Sequence, residues 1–327
     1  GISVVKVFGP EHGWKGTADD GALVKDAVDT TRQIEIISLY GKNKKPTKAQ
    51  LEGLDILVFD IQDVGTRFYT YISTLQYIME AAAASGLPVL VLDRPNPNGH
   101  YVDGPTLDTA YRSFVGLQPI PAVYGMTIGE YAQMLNGEGW LEGGVKCDLK
   151  VIPCIHYDHT TLYELPVGPS PNLPNMRSVY LYPSLVFFEG TVISEGRGTD
   201  LPFQCFGHPD LPFYSFAFTP TPGLGAAHPK LEGQTCLGKS FGEIPADSIR
   251  QWRQIRIEYL VEAFENFQGE KATFFLKTNY IDKLSGSDQL RKMVLEGKSA
   301  HEIRATWQED INAFLPIRAK YLLYKDF

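Results

Sequence analysis

Residues able to do chemistry fall in a few short blocks. Glu11 and His12 stand together in FGPEHGWKG, between a proline and a glycine; Asp60, Asp63 and Arg67 share FDIQDVGTRF; Asp93 and Arg94 open DRPNPNG; Glu189 lies in FFEGT and Arg197 in SEGRGTD. Carboxyl groups brought close together push some of their pKa values up, so that one stays protonated while another remains ionised. Cleaving a glycosidic bond uses that division: one carboxylic acid protonates the leaving oxygen, and a second, anionic group assists at the anomeric carbon. His12, Arg67 and Arg94 would moderate the charge and bind substrate, and Arg67 and Arg197 have the planar fork that pairs a substrate carboxylate bidentately.

Each residue also has a plainer reading. Asp60 at a strand end serves equally well as a turn cap. Asp93, before Arg94-Pro95, reads as a loop organiser. Glu11 is harder to assign to structure, because no helix surrounds it to keep it in water, and beside it His12 reads as part of the same site. Glu189 follows aromatics, a setting that raises a carboxyl pKa on burial and makes it the second candidate acid. Arg197, flanked by glycines that let backbone approach a ligand, either binds substrate or pins its loop to an acidic residue. Asn172 and Asn175, in SPNLPN, read as turn formers that also contact ligand.

These residues need elements to place them. Ile2–Phe8, Ile34–Leu39, Asp55–Asp60 and Leu87–Leu92 are runs of Val, Ile and Leu suited to strands covered on both faces, as in a parallel sheet. Tyr69–Ser85 repeats apolar residues at helical spacing and closes on Gly86, so a right-handed βαβ crossover joins the third and fourth strands. Thr127 and Glu130 form a capping box for a further helix, and Cys147–Ile152 reads as another strand. In such sheets ligands bind beyond the carboxyl ends of the strands. Three strands are then expected to bring Glu11, Asp60 and Asp93 to one edge of one sheet.

From Pro153 to Gly233 the chain turns rich in Pro, Gly, Asn and aromatics, the composition of a binding surface. A short helix is expected at Tyr180–Phe188, with Tyr180, Tyr182, Phe187 and Phe188 available to stack on sugar rings or to fill the core. Further on, Ile257 to Phe267 mark one amphipathic helix, and Ser299 with Glu302 caps another carrying Ile303, Trp307, Ile311 and Phe314. The expected organisation is α/β: a doubly wound, mostly parallel sheet over residues 1–153, and a second, smaller C-terminal α/β domain over 154–327 that contributes loops to the cleft.

Composition excludes other classes. A net charge of −8 offers no basic face for nucleic acid, and no apolar run approaches the ~20 residues of a membrane span. Cys147, Cys154, Cys205 and Cys236 match no tight metal spacing and read as small buried apolar residues. There is no Gly-x-Gly-x-x-Gly, no P-loop and no Gly-x-Ser-x-Gly elbow, which removes the usual nucleotide and α/β-hydrolase signatures.

The blocks FGPEHGWKG, ISLYG, LVFDIQDVGTRFYTYI, VLDRPNPNG, YVDGP, GPSPNLPN, LYPSLVFFEGT, SEGRGTDLPF and DQLR…IRATW…YLLY run in order from Phe8 to Tyr324. Together they resemble the NamZ-type exo-β-N-acetylmuramidases, bacterial glycoside hydrolases long filed as a domain of unknown function. The resemblance implies a Rossmann-like catalytic domain, an ancillary C-terminal domain with the active site between the two, and release of N-acetylmuramic acid from the non-reducing end of peptidoglycan-derived muropeptides or disaccharides. It makes Glu11 the leading acid with His12 beside it, and lines the pocket with Asp60, Arg67, Tyr71, Asn96, Asn172, Glu189 and Arg197; Asp63 joins the substrate contacts. No cofactor or metal is implied. The family carries an earlier strand and helix with a Thr-Asn-x-Thr-Gly block that this chain lacks, so a trimmed N-terminus and a periplasmic or secreted location, after removal of a signal peptide, are expected. Two rivals stay open: a metal-dependent hydrolase with Glu11, His12, Asp60, Asp63 and Asp93 as ligands, and a muropeptide-binding protein without turnover.

Overall fold

The computed structural model describes residues 1, 3–14 and 26–327. Ile2 of the first expected strand and Lys15-Gly16 of the opening block lie outside the described residues. Strand β1 (Lys6–Gly9) pairs in parallel with β3 (Ile34–Ser38), Phe8 opposite Ile37, and β2 (Ala27–Asp29) joins β3 antiparallel. Strands β4 (Leu57–Phe59), β5 (Val89–Leu92) and β8 (Leu149–Ile152) form a parallel sheet in the order β4-β5-β8.

The expected crossover is present. Helix Tyr71–Ser85 runs between β4 and β5 and stops at Gly86, whose left-handed φ of 68° lets its N–H reach back to the Ala82 and Ala83 carbonyls. Its Ile72, Leu75, Met79 and Ala82 pack with Leu57, Phe59, Val89 and Val91, and with Tyr131 and Leu135 of helix Ile128–Gly137. That helix starts on the Thr127/Glu130 capping box.

Two expectations about the sheet are corrected. Among the described residues, backbone hydrogen bonds divide the strands between two three-stranded sheets, so β1 and β4 do not end on one shared edge. The β4-β5-β8 sheet is also covered well on one face alone: Val58 is 52% exposed, Ile56 42% and Ile152 40%. Alternation along a strand sends neighbouring side chains to opposite faces, so the continuous apolar runs hid a one-sided core.

The rest is built of antiparallel pairs and helices. Strands β6 (Asp103–Thr106) and β7 (Pro121–Val123) pair antiparallel, and β9 (Cys205–His208), β10 (Phe216–Phe218) and β11 (Cys236–Ser240) form an antiparallel sheet in the order β10-β11-β9. The helix expected at Tyr180–Phe188 begins earlier, at Met176, because Asn175 accepts from the Ser178 N–H in a capping box; it ends at Leu185 and passes into a 3₁₀ turn, Val186–Gly190. Pro183 inside it has no N–H for the Val179 carbonyl, and Asn98 Nδ2 donates to that oxygen instead, at 3.2 Å.

Ser299 and Glu302 form their capping box, but the expected single helix is two, Ala300–Ala305 and Gln308–Ala319, separated by tight turns at Thr306 and Trp307. The break lets Ile303, Trp307 and Ile311 pack in one core while Phe314 enters the core under β4 and β5. No helix among the described residues is long and apolar enough to cross a membrane.

Candidate active site

The parallel pairing of β1 and β3 sends the segments after both strands the same way. After β1, Pro10 opens a tight turn in which Gly13 N–H donates to the Pro10 carbonyl at 2.9 Å, with His12 and Gly13 both at φ 69°. Glu11 is carried on that turn. After β3 comes Tyr40, whose hydroxyl donates to Glu11 Oε1 at 2.7 Å. Thr70, at the N-cap of helix Tyr71–Ser85, makes no capping bond; its hydroxyl donates to Glu11 Oε2 at 3.0 Å. Forgoing a cap costs a helix about 1 kcal/mol, so this threonine serves the carboxylate at the expense of its own helix. The Tyr71 hydroxyl donates to the Glu11 backbone carbonyl at 3.4 Å.

Glu11 opens into a cavity of about 320 Å³ that is also lined by His12, Tyr71, Asn172, Glu189 and Arg197. Six of the expected site residues therefore meet in one place. Glu189 sits on the 3₁₀ turn Val186–Gly190 and accepts from Arg197 Nη2 at 2.6 Å. Arg197 Nε lies 3.2 Å from Glu195 Oε1, its guanidinium stands 5.1 Å from the Phe203 ring centroid, and Lys230 Nζ is 2.8 Å from Glu195 Oε2. The result is a cluster of two carboxylates and two cations behind one wall of the cavity. Gly196 and Gly198 hold φ of 84° and 77°, and a Cβ on Gly196 would fall 2.4 Å from the Leu201 carbonyl oxygen. These glycines serve the turn that carries Arg197, which corrects their reading as an approach for ligand.

Four expected site residues do not reach the cavity, each for a physical reason. Asp60 is half-exposed and ion-paired with Arg94 at 2.7 Å. Asp63 is buried, accepts from the Tyr124 hydroxyl and the Gly65 N–H, and burial pushes its carboxyl up to about 6. Arg67 is fully buried; Nη1 donates to the Pro105 and Ile120 carbonyls at 2.8 and 2.7 Å, and Nη2 to Leu284 at 2.8 Å. Burial lowers that guanidinium to about 9, and it grips backbone where a substrate clamp was expected. Asn96 is buried too, donating to the Met126 carbonyl at 2.7 Å and accepting from Asn98 N–H at 2.9 Å.

Asp93 is the loop organiser its sequence suggests, accepting from Thr127 Oγ1 at 2.7 Å, Gly129 N–H at 2.8 Å and Tyr324 OH at 2.5 Å. Asn172 lines the cavity while donating to the Gly225 carbonyl at 2.7 Å, so it is both turn former and wall. Of the four aromatics offered for stacking, Tyr182 lines the cavity; Tyr180, Phe187 and Phe188 belong to the core.

The proposed metal ligands are dispersed as well: Asp60, Asp63 and Asp93 are engaged as described, and no three His, Cys, Asp or Glu among the described residues are grouped to hold a metal ion. Tyr40, Lys44, Thr70, Phe114, Tyr280 and Lys283 line the cavity without having been singled out. Tyr40 was findable, since ISLYG places it just past a predicted strand. Lys44 and Lys283 stand in ordinary charged segments that carry no such signal.

The α/β fold and a cleft walled by two glutamates suit a protein of the glycosidase type. More narrowly, the chain belongs to the NamZ family. Residues 1–177 match the family described as "Exo-beta-N-acetylmuramidase NamZ, N-terminal" and residues 180–324 its C-terminal counterpart. It is 39% identical to the peptidoglycan beta-N-acetylmuramidase NamZ of Bacillus subtilis, over 99% of this chain and 80% of that protein. Two crystal structures of DUF1343-family proteins from Bacteroides fragilis resemble it. One has a TM-score of 0.90 at 46% identity, covering 99% of this chain and 86% of that one; the other has 0.77 at 29%, covering 98% and 86%.

Proposed function

We propose that this chain is an exo-acting glycoside hydrolase that releases N-acetylmuramic acid from the non-reducing ends of peptidoglycan-derived muropeptides or disaccharides. The observation that carries the reading is the shared cavity: Glu11 from the first family segment and Glu189 from the second line one space. Its volume lies at the small end of the range for small-molecule sites, as suits one terminal sugar. The curated relative, which is named for this activity, supports the same reading.

Glu11 is proposed as the acid. A group that gives up and regains a proton needs neighbours that tolerate both states, and the Tyr40 and Thr70 hydroxyls can each donate or accept. Glu189, ion-paired with Arg197, suits the anionic role at the anomeric carbon. A chromogenic glycoside of N-acetylmuramic acid tests the assignment. Wild type should release the dye and the free sugar, and Glu11→Gln and Glu189→Gln should each lose at least roughly a hundredfold in kcat while remaining folded. Binding without turnover by wild type would instead establish a muropeptide-binding protein. A periplasmic or secreted location is part of the proposal, because peptidoglycan, the source of the proposed fragments, lies outside the cytoplasm.

A further inference from the structure

A muramic acid unit differs from a glucosamine unit by a lactyl ether that ends in a carboxylate, so an enzyme selective for it needs a cation for that group. Neither arginine expected to supply one is placed to do so. Arg67 is buried on three backbone carbonyls, and Arg197 is held between Glu189 and Glu195. Two other cations line the cavity. Lys44 holds its ammonium 4.1 Å from the centroid of the Phe114 ring, another cavity residue, and Lys283 projects from helix Tyr280–Ser285.

Their sequence neighbours are ion-paired, and these two lysines, among the described residues, are not. Lys45 pairs with Glu80 at 2.8 Å and Glu142 at 2.7 Å, whereas Lys44 makes no ion pair among the described residues. Asp282, the acid next to Lys283, is taken by Arg291 through two bonds of 2.8 Å, and Lys283 likewise has no ion pair among the described residues. Glu189 and Glu195 are matched by Arg197 and Lys230. Among the described residues neither lysine is ion-paired, so both ammonium groups stand on the cavity wall available to an anion. Lys44 is also partly fixed, because the aromatic face attracts the ammonium and lowers the entropy lost on binding.

We propose that Lys44 and Lys283 form an anion subsite that reads the carboxylate of the bound sugar and so sets selectivity for carboxylate-bearing over neutral N-acetylhexosamines. The proposal rests on the glycosidase reading of the same cavity. Its test uses three chromogenic glycosides: of N-acetylmuramic acid, of its lactyl methyl ester and of N-acetylglucosamine. The full chain is compared with Lys44→Gln, Lys283→Gln, the double variant and Lys283→Arg. Each glutamine variant should lower the acid-to-ester ratio of kcat/KM by roughly tenfold, mainly through KM, as expected for one charge-assisted contact. Lys283→Arg should keep most of the ratio, and the wild-type KM for the acid should rise with salt while that for the ester does not.

An equal loss on acid and ester would mean a structural role and overturn the proposal, as would an unchanged ratio. Calorimetric binding of free N-acetylmuramic acid against N-acetylglucosamine separates this from the parent reading. Should wild type turn over none of the glycosides, a binding preference for the acid that both glutamine variants lose still supports the subsite, and absence of that preference rejects it.

Discussion

Tyr40 donates a 2.7 Å hydrogen bond to Oε1 of Glu11 across the ends of two parallel strands, and Thr70 completes the pair on Oε2. The proposed acid is thus aimed by one residue from its sheet neighbour and one from a helix N-terminus. Tyr40→Phe removes one of these contacts without removing the ring. It should lower kcat by roughly tenfold to a hundredfold with little change in KM, and displace one limb of the pH–rate profile. A profile of wild-type shape at reduced amplitude would point to lost packing alone.

Arg197 joins the site to the fold behind it. Glu195 is 2% exposed in its side chain and depends on Arg197 and Lys230 for compensation. Arg197→Met should destabilise the chain by about 3 kcal/mol, the cost of leaving a buried charge half-matched, and should also abolish turnover by freeing Glu189. Urea unfolding and steady-state kinetics read the two effects separately. Arg197→Lys keeps the charge but loses the planar fork, so it should recover stability better than activity.

The buried guanidinium of Arg67 satisfies carbonyls at Pro105, Ile120 and Leu284. Arg67→Met leaves all three without that donor, and at about 1–3 kcal/mol for each unsatisfied buried group the variant should fall below the stability needed to accumulate as soluble protein. Normal yield and melting temperature would show that other donors or water replace the arginine.

Acid should act on stability through two buried groups of opposite sign. Burial lowers His100 from 6.5 to about 4, so the unfolded chain takes up this proton first and stability falls as pH drops from 6.5 to 4. Burial raises Asp63 from 3.8 to about 6, so here the folded chain takes up the proton first and stability rises as pH drops from 6 to 3.8. Each is worth about 3 kcal/mol across its window, and they largely offset. His100→Asn should therefore gain stability relative to wild type on going from pH 6.5 to 4.5. Asp63→Asn should lose it over the same interval, while being the more stable of the two proteins at pH 7. Unfolding curves at several pH values decide both signs.

Local signals carried furthest into the structure. The capping boxes at Thr127 and Ser299, the Gly86 stop and the strand cores all depend on interactions a few residues long, and they stand where the pattern put them. Glu11 and Glu189 were legible because a carboxylate in an apolar or glycine-rich turn has few structural reasons to be there. Asp60, Asp63, Arg67 and Asn96 do not line the cavity, and the sequence holds no sign of that, because their position just after a strand does not say which way they face. The path of the backbone after the strand decides that, and here it turns Asp63, Arg67 and Asn96 into the protein as fasteners for loops. Lys44 and Lys283 were invisible because their meaning lies in what their neighbours pair with, a property of the folded chain.

Phe314 completes the core beneath β4 and β5, although more than two hundred residues separate it from them. During synthesis the β4-β5-β8 sheet therefore stays short of one packing partner until helix Gln308–Ala319 emerges. A chain truncated before Phe314 should therefore lack part of the core beneath β4 and β5 and yield a product that chaperones retain.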